Sequence, residues 1–408
     1  MSMKLAWIFP LMIPLWVMAG EVDTLTPDPA LTLRDVLQQA VDRNPQRHVL
    51  QAMDGEVQAR YTYARGMLPN SPAISVRHVT DTIGSGRGER EWEAELELPV
   101  WLPGQRTARQ AVANGSQADL AASREGLMLQ VAGVLRDVIW DIDMNANSVE
   151  LIRHRLSVAE ALQHDVERRY KAGELAKTDF MLTQNETLQA QAALLRAEAE
   201  LKHAQHRYTV LTGLKEIPAR VDERQSEKTG LSEQHPLLRE ADTKTALAQS
   251  ERDLVHLEKR ENPQLMLAAR SLRGAYDPQA NDSIGLKLRI PFDTEVRSAP
   301  LMAAAENNVA KYVTERERLF NEMETALHEA EHNLEVTRAE LEVSTQQNEI
   351  AQENLRLAKK AFGLGETDLV RLLLVQSQAY EAERAFLSRK IQLHWDIARY
   401  NQAVGVLP

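Results

Sequence analysis

The sequence predicts a mainly α-helical chain with a small β part, built as a helix–strand–strand–long helix–helix unit that occurs twice. Three observations lead there. Of the 408 residues 26% are charged and only 5% aromatic, with 18 glycines, a composition typical of long helices and coiled coils. Two long stretches, 106–172 and 303–362, contain no proline. A series of landmark residues recurs in order at one fixed offset. The same composition excludes several function classes. With no cysteine there is no disulfide framework, thiolate catalysis, Cys-ligated zinc or iron–sulfur cluster, and no lipidated N-terminal cysteine. A net charge of −11 argues against broad nucleic-acid binding, which needs concentrated Lys and Arg.

Residues 1–19 read as a signal peptide. Lys4 supplies the positive start, Leu5 to Trp16 an apolar run, and Val17 and Ala19 the small residues of a cleavage site. Pro10, Pro14 and the acidic segment that follows disfavour a retained anchor. No later stretch approaches the ~18 apolar residues of a membrane-spanning helix. The mature chain is therefore expected to be exported, and any membrane crossing must use β-strands.

The repeat is read from the following pairs. Asn44-Pro45 is echoed by His235-Pro236, and Asn70-Ser71-Pro72 by Asn262-Pro263, with 191 residues between the matching prolines. Pro99 is echoed by Pro291, Gly173-Glu174 by Gly365-Glu366, Gln184 by Gln376, Arg207-Tyr208 by Arg399-Tyr400 and Gly213 by Gly405, all at an offset of 192. One inserted residue reconciles the two offsets. The boundaries that follow are a first repeat over 20–213, a linker over 214–234 containing Pro218 and Gly230, and a second repeat over 235–408.

Each copy has one internal plan. A helix comes first, expected from Thr32 to Met67 in the first copy. A hairpin follows, at about 72–99 and again at about 263–291. Then comes a proline-free helix, which at 1.5 Å per residue spans roughly 100 Å in the first copy. A glycine-marked turn and a returning helix close the unit. Val131, Leu135, Val138, Ile142, Val149, Ile152, Leu156, Ala159, Val166 and Tyr170 keep a 3–4 spacing in the first long helix. Val313, Phe320, Leu327, Leu334, Leu341, Leu355 and Phe362 keep a seven-residue register in the second. Such a period predicts supercoiled seams.

The strands alternate. Trp92, Ala94, Leu96 and Leu98 share one face and Glu91, Glu93, Glu95 and Glu97 the other; Ile284, Leu286, Leu288 and Ile290 likewise oppose Lys287 and Arg289. The partner strands are marked by Ile74, Val76, Leu265 and Leu267. Alternation of this kind suits a half-buried soluble sheet or a barrel with lipid outside and water inside. Four strands cannot close a barrel, and hydrocarbon does not tolerate an open edge, so membrane-spanning strands require several chains to share one barrel.

The segments LTLRDVLQQAVDRNP, ELELPVWLPGQRTAR, RYKAGELAKTDFMLTQ and LGETDLVRLLLVQSQAYEAERAF, in this duplicated order from Leu31 to Gly405, resemble the TolC family of outer-membrane factors. That resemblance implies a homotrimer with a trimeric α-barrel, a periplasmic tunnel of twelve helical staves, joined to a shared twelve-stranded outer-membrane β-barrel. It implies a passive exit duct of a tripartite efflux system, working with a periplasmic adaptor and an inner-membrane pump of RND type, located in the outer membrane and reaching into the periplasm. No cofactor, catalytic residue or nucleic-acid partner is expected. WLPGQRTAR and the short linker are similar to the heavy-metal (CzcC/CusC-like) branch.

The resemblance also implies site residues. Gly173, Glu174, Leu175, Gly365 and Glu366 correspond to the periplasmic tips that meet the adaptor. Thr178 and Asp179 lie where the family has polar gate residues. The family's acidic ring, six and nine residues after the second glycine, falls here on Arg371 and Leu374, with Asp368 as a nearby substitute. Asp179 and Arg371 are expected to join in an inter-helix latch. Glu91, Glu93, Glu95 and Glu97, opposed by Lys287 and Arg289, are expected to face the lumen, where cross-strand pairing would stabilise them modestly and excess negative charge would favour cations.

His328-Glu329-Ala330-Glu331-His332 matches H-E-x-x-H, a pattern of zinc hydrolases. With Leu327 on the heptad seam, both histidines point away from it, and no third ligand is evident, so no metal site is expected. Two other readings are an exported zinc hydrolase built on this motif and a periplasmic coiled-coil adaptor or structural protein. The duplicated plan disfavours the adaptor, which carries one helical hairpin on β-rich domains.

Overall fold

The computed structural model describes residues 25–292 and 295–408; the expected signal peptide, 1–19, lies outside the described residues. The elements follow in the order β1 (Thr26–Asp28), α1 (Leu33–Arg43), α2 (Gln46–Arg65), β2 (Ala73–Thr80), β3 (Arg90–Pro99), α3 (Gln105–Lys171), α4 (Lys177–Thr212), β4 (Glu216–Pro218), α5 (Pro236–Leu257), β5 (Gln264–Arg273), β6 (Asn281–Arg289), α6 (Glu295–Gly363) and α7 (Leu369–Ala403).

Local chemistry sets the breaks. Thr32 caps α1, accepting from the Asp35 amide at 3.2 Å while Asp35 Oδ2 accepts from the Thr32 amide at 3.1 Å. The single first helix expected over 32–67 is in fact two. Pro45 has no amide hydrogen and excludes its predecessor from the helical region, so Asn44 is extended at φ −66° and ψ 129° and α2 restarts at Gln46. In the second half only α5 occupies this place, with Pro236 as its first residue. The proline-free stretches form α3, of 67 residues, and α6, of 69 residues; α6 begins before Ala303 and contains Pro300 near its start.

The helices are laid side by side as a wall. On the strand side of the molecule α2 packs on α3, α3 on α5 and α5 on α6; towards the glycine turns α4 packs on α3, α3 on α7 and α7 on α6. α3 and α6 therefore run the length of the wall and the shorter helices fill the gaps. The core is a narrow seam between staves. Leu120, Leu129, Ala132, Leu135 and Tyr208 are buried to 1% exposure or less. Of the expected heptad residues Val131, Leu135, Ile142, Val149, Ala159 and Val166 on α3, and Leu327, Leu334 and Phe362 on α6, are buried; the others are partly buried, except Val313, which is exposed.

A short parallel pair, absent from the expected elements, joins the start of the chain to the linker. Thr26, Pro27 and Asp28 of β1 lie beside Glu216, Ile217 and Pro218 of β4.

Candidate functional site

The four long strands form one antiparallel sheet in the order β2-β3-β5-β6. Paired residues share a face, so register assigns every side chain. One face carries Ile74, Val76, Trp92, Ala94, Leu96, Leu267, Ile284 and Leu286. These apolar residues are open: Ile284 is 91% exposed, Ile74 76% and Leu286 71%. His78 stacks on Trp92 on this face, ring centroids 4.0 Å apart. Among the described residues nothing pairs with the outer edges of β2 or β6.

The other face is polar, and here the structure corrects the expected charge pairing. Glu91, Glu93, Glu95 and Glu97 do share a face with Lys287, and Arg289 lies on it opposite Gln264, but β5 separates β3 from β6. Lys287 lies opposite Met266 instead of a glutamate. Glu91 pairs with Arg270 of β5 at 2.6 Å, and Glu93 with Arg77 of β2 at 3.6 Å. With Arg77 and Arg270 counted, this face bears four acidic and four basic side chains, so it carries no excess negative charge. Neither arginine is expected from the sequence, where β2 and β5 are marked only by their apolar residues.

Where strands become helices, a buried polar cluster fixes the sheet to the wall. Arg109 is 7% exposed; its Nη2 lies 2.5 Å from Glu258, its Nη1 donates to the Pro69 carbonyl at 3.1 Å, and the guanidinium lies 3.8 Å from the Tyr63 ring centroid. Gln105 and Asn262 exchange amide hydrogen bonds at 3.3 and 2.7 Å, and Asn262 Nδ2 donates to the Val100 carbonyl at 2.9 Å. Trp101 Nε1 donates to the Met67 carbonyl at 2.9 Å. In the sequence these residues are visible only as the WLPGQRTAR string and Asn262-Pro263, with nothing to say that they meet.

The two helical turns have one geometry. Gly173 and Gly365 sit at φ 83° and 75°, the left-handed region that glycine enters without steric cost. The Glu174 amide donates to the Arg169 carbonyl at 2.9 Å and the Glu366 amide to the Ala361 carbonyl at 3.0 Å, so both helices end in the same glycine motif. Glu174, Glu366, Thr178, Asp368 and Arg371 are exposed, while Leu175 and Asp179 are partly buried. Leu175 and Phe180 pack on a small core of Val166, Phe362, Leu369 and Leu372 that joins the two turns. Asp179 accepts from the Ala176 amide at 3.3 Å, and Asp368 caps α7 by accepting from the Arg371 amide at 2.7 Å. Both carboxylates thus serve their own helices; within one chain no ion pair joins Asp179 to Arg371 among the described residues.

The edges of the wall carry apolar stripes that lie outside the expected heptad seams. On α6 and the residue just after it, Val336, Val343, Ile350, Leu357 and Leu364 recur every seven residues and are 38% to 72% exposed. On α4, Met181, Leu188 and Leu195 do the same at 55% to 70%. The seven-residue spacing of both stripes was available in the sequence. His328 and His332 lie on the exposed side of α6, stacked with centroids 6.5 Å apart. Among the described residues no group of three or more His, Asp or Glu converges as a metal site.

No family model matches the chain, and no curated protein matches it. Solved structures do. The outer membrane protein VceC of Vibrio cholerae superposes with a TM-score of 0.73 at 15% identity, covering 92% of this chain and 96% of that one. The CmeC outer membrane channel of Campylobacter jejuni gives 0.73 at 12% identity, covering 91% and 85%. CusC, a protein studied for transmembrane channel formation, gives 0.73 at 12% identity over the full length of both chains. The chain has the fold of these outer-membrane channels, and its TM-score to CusC equals those to VceC and CmeC.

Proposed function

We propose that this chain is the outer-membrane exit duct of a tripartite efflux system. Three copies close a twelve-stranded β-barrel over a helical tunnel that crosses the periplasm. Substrates handed over by an RND-type inner-membrane pump and a periplasmic adaptor leave through it passively, with no catalytic group in the chain. The observation that carries the reading is the four-stranded sheet, apolar and exposed on one face, polar on the other and open at both edges. Such a sheet is stable in hydrocarbon only when further strands pair with both edges. The stripes on α4 and α6 support the same closure. They lie on opposite edges of the wall, α4 runs away from the glycine turns and α6 towards them, and the shared seven-residue period suits antiparallel coiled-coil packing between neighbouring copies.

In this reading the halves 20–213 and 235–408 are copies of one unit joined by 214–234, and the polar sheet face lines the lumen. Gly173, Glu174, Leu175, Gly365 and Glu366 present the tips to the adaptor, and Thr178, Asp179, Asp368 and Arg371 surround the periplasmic gate. The test is mass in detergent together with conductance in a planar bilayer. A trimer that forms channels is expected; a monomer without conductance would overturn the proposal. Crosslinking to the inner-membrane pump, with metal and drug sensitivity of a deletion strain, identifies the cargo.

A further inference from the structure

The polar face of the sheet has two tiers. In the tier away from the helices, charge is neutralised locally: Glu91 is bonded to Arg270 and Glu93 lies beside Arg77. In the tier next to the helices, Glu95 and Glu97 on β3 and Lys287 and Arg289 on β6 form no ion pair among the described residues. Uncharged rungs separate them. Glu97 faces Met266, which faces Lys287; Glu95 faces Ala268, which faces Gly285; on its other side β3 meets Ala73 and Ser75 of β2. Two strand spacings place the acidic and basic stripes ~10 Å apart, about one Debye length, so each keeps its own local field.

We infer, on the premise that three copies close the barrel with this face inward, that the neck where barrel meets tunnel is a charge-alternating ring. Its Glu95/Glu97 and Lys287/Arg289 stripes pass solutes of mixed charge and select neither cations nor anions. The sheet contributes two negative and two positive side chains per copy at this level, so its mean contribution to the potential in the lumen is near zero. The field instead runs along the lumen wall between neighbouring basic and acidic stripes and vanishes on the three-fold axis. Such a field orients dipolar solutes with separated positive and negative groups and offers no energetic preference to an ion of one sign.

The test is reversal potential across a salt gradient with the full-length trimer in planar bilayers. The wild type is expected to show a cation-to-anion permeability ratio within about threefold of unity. Glu95→Gln with Glu97→Gln shifts the ratio towards anions, Lys287→Gln with Arg289→Gln shifts it towards cations, and the quadruple variant returns it to near unity. A wild type selective by about tenfold or more, or double variants that conduct with an unchanged ratio, would overturn the ring. Absence of any channel would sink the duct itself, which keeps the two failures distinct. Retained single-channel conductance shows that each variant has folded and inserted.

Discussion

Arg136 of α3 and Glu223 of the segment between β4 and α5 form a buried, doubly bonded ion pair. Arg136 Nε donates to Glu223 Oε1 at 2.7 Å and Nη2 to Oε2 at 2.6 Å, with side chains 4% and 8% exposed. Nη1 reaches Gln402 Oε1 at 2.6 Å, Nη2 also reaches the Val406 carbonyl at 2.9 Å, and Asn401 Nδ2 donates to Glu223 Oε2 at 3.1 Å. One pair thus ties the first long helix, the linker and the end of α7. Removing one partner leaves a buried charge uncompensated, so Arg136→Met or Glu223→Gln is expected to destabilise the chain by about 3–5 kcal/mol, measured by chemical denaturation. Replacing both together is expected to cost less than the sum of the two, which a double-mutant cycle reads directly.

Gly405 and Gly173 adopt similar left-handed backbones at φ 76° and 83°, yet their substitutions are expected to differ. A Cβ at Gly405 would lie 2.6 Å from His235 Cδ2 and 3.0 Å from Pro236 Cδ, whereas one at Gly173 would meet nothing within 4 Å. Gly405→Ala adds steric conflict to backbone strain and should cost about 2–4 kcal/mol. Gly173→Ala carries the strain alone, about 1 kcal/mol. Thermal melting of the two variants side by side checks the order.

His235 makes stability depend on pH. Its Nδ1 accepts from the Leu237 amide at 3.2 Å, capping α5 with the neutral ring. Burial pushes the imidazole below its ordinary value and Lys228 adds to this, while the Gln402 and Ala403 carbonyls oppose it. A depressed folded value means that protonation favours the unfolded chain. The contribution is therefore complete above the unfolded value of 6.5 and is lost as pH falls from there towards the folded one. Melting temperature should drop as pH falls below about 6.5, and His235→Asn should flatten that part of the profile.

Breaking the apolar stripe on α6 should separate assembly from folding. Ile350 and Leu357 are 72% and 50% exposed in the single chain, so Ile350→Lys with Leu357→Lys removes little from its core. Far-ultraviolet circular dichroism is expected to stay helical while mass in detergent falls from that of the proposed trimer to that of a monomer. Leu188→Lys on α4 should weaken the same interface from the other side.

At the second turn, Asp368 and Arg371 are expected to separate cap from gate. Asp368→Ala removes the side-chain acceptor of the Arg371 amide and should cost about 1 kcal/mol. Arg371→Glu leaves that bond in place, since only its backbone takes part, and puts a carboxylate on the positive end of the helix, so stability should hold or rise slightly. If Arg371 belongs to the gate, the same variant changes single-channel conductance; an unchanged trace removes it from that role.

Much of this was legible in one dimension because long helices and alternating strands are written as periods. Absence of proline and a seven-residue register located α3 and α6, and strict alternation located β3 and β6. Asn44-Pro45 marks the repeat and also breaks α1 from α2, an effect that proline chemistry alone dictates. The stripes on α4 and α6 were equally periodic but were not separated from the core seam, because period alone does not say which of two faces a neighbour covers.

By itself the sequence determined the order of the long helices and of the four sheet strands, the apolar face of each of those strands, and the glycine turns, since each depends on neighbours a few residues away. Strand order was decided only in three dimensions. Placing β5 between β3 and β6 gave Glu91 its partner Arg270 and separated the glutamates of β3 from Lys287 and Arg289. The ties of Arg136 to Glu223 and of Arg109 to Glu258 were likewise decided only there, joining residues 87 and 149 positions apart. A charge's partner depends on distance through space, and spacing along the chain carries no record of which strand or helix comes to lie beside it.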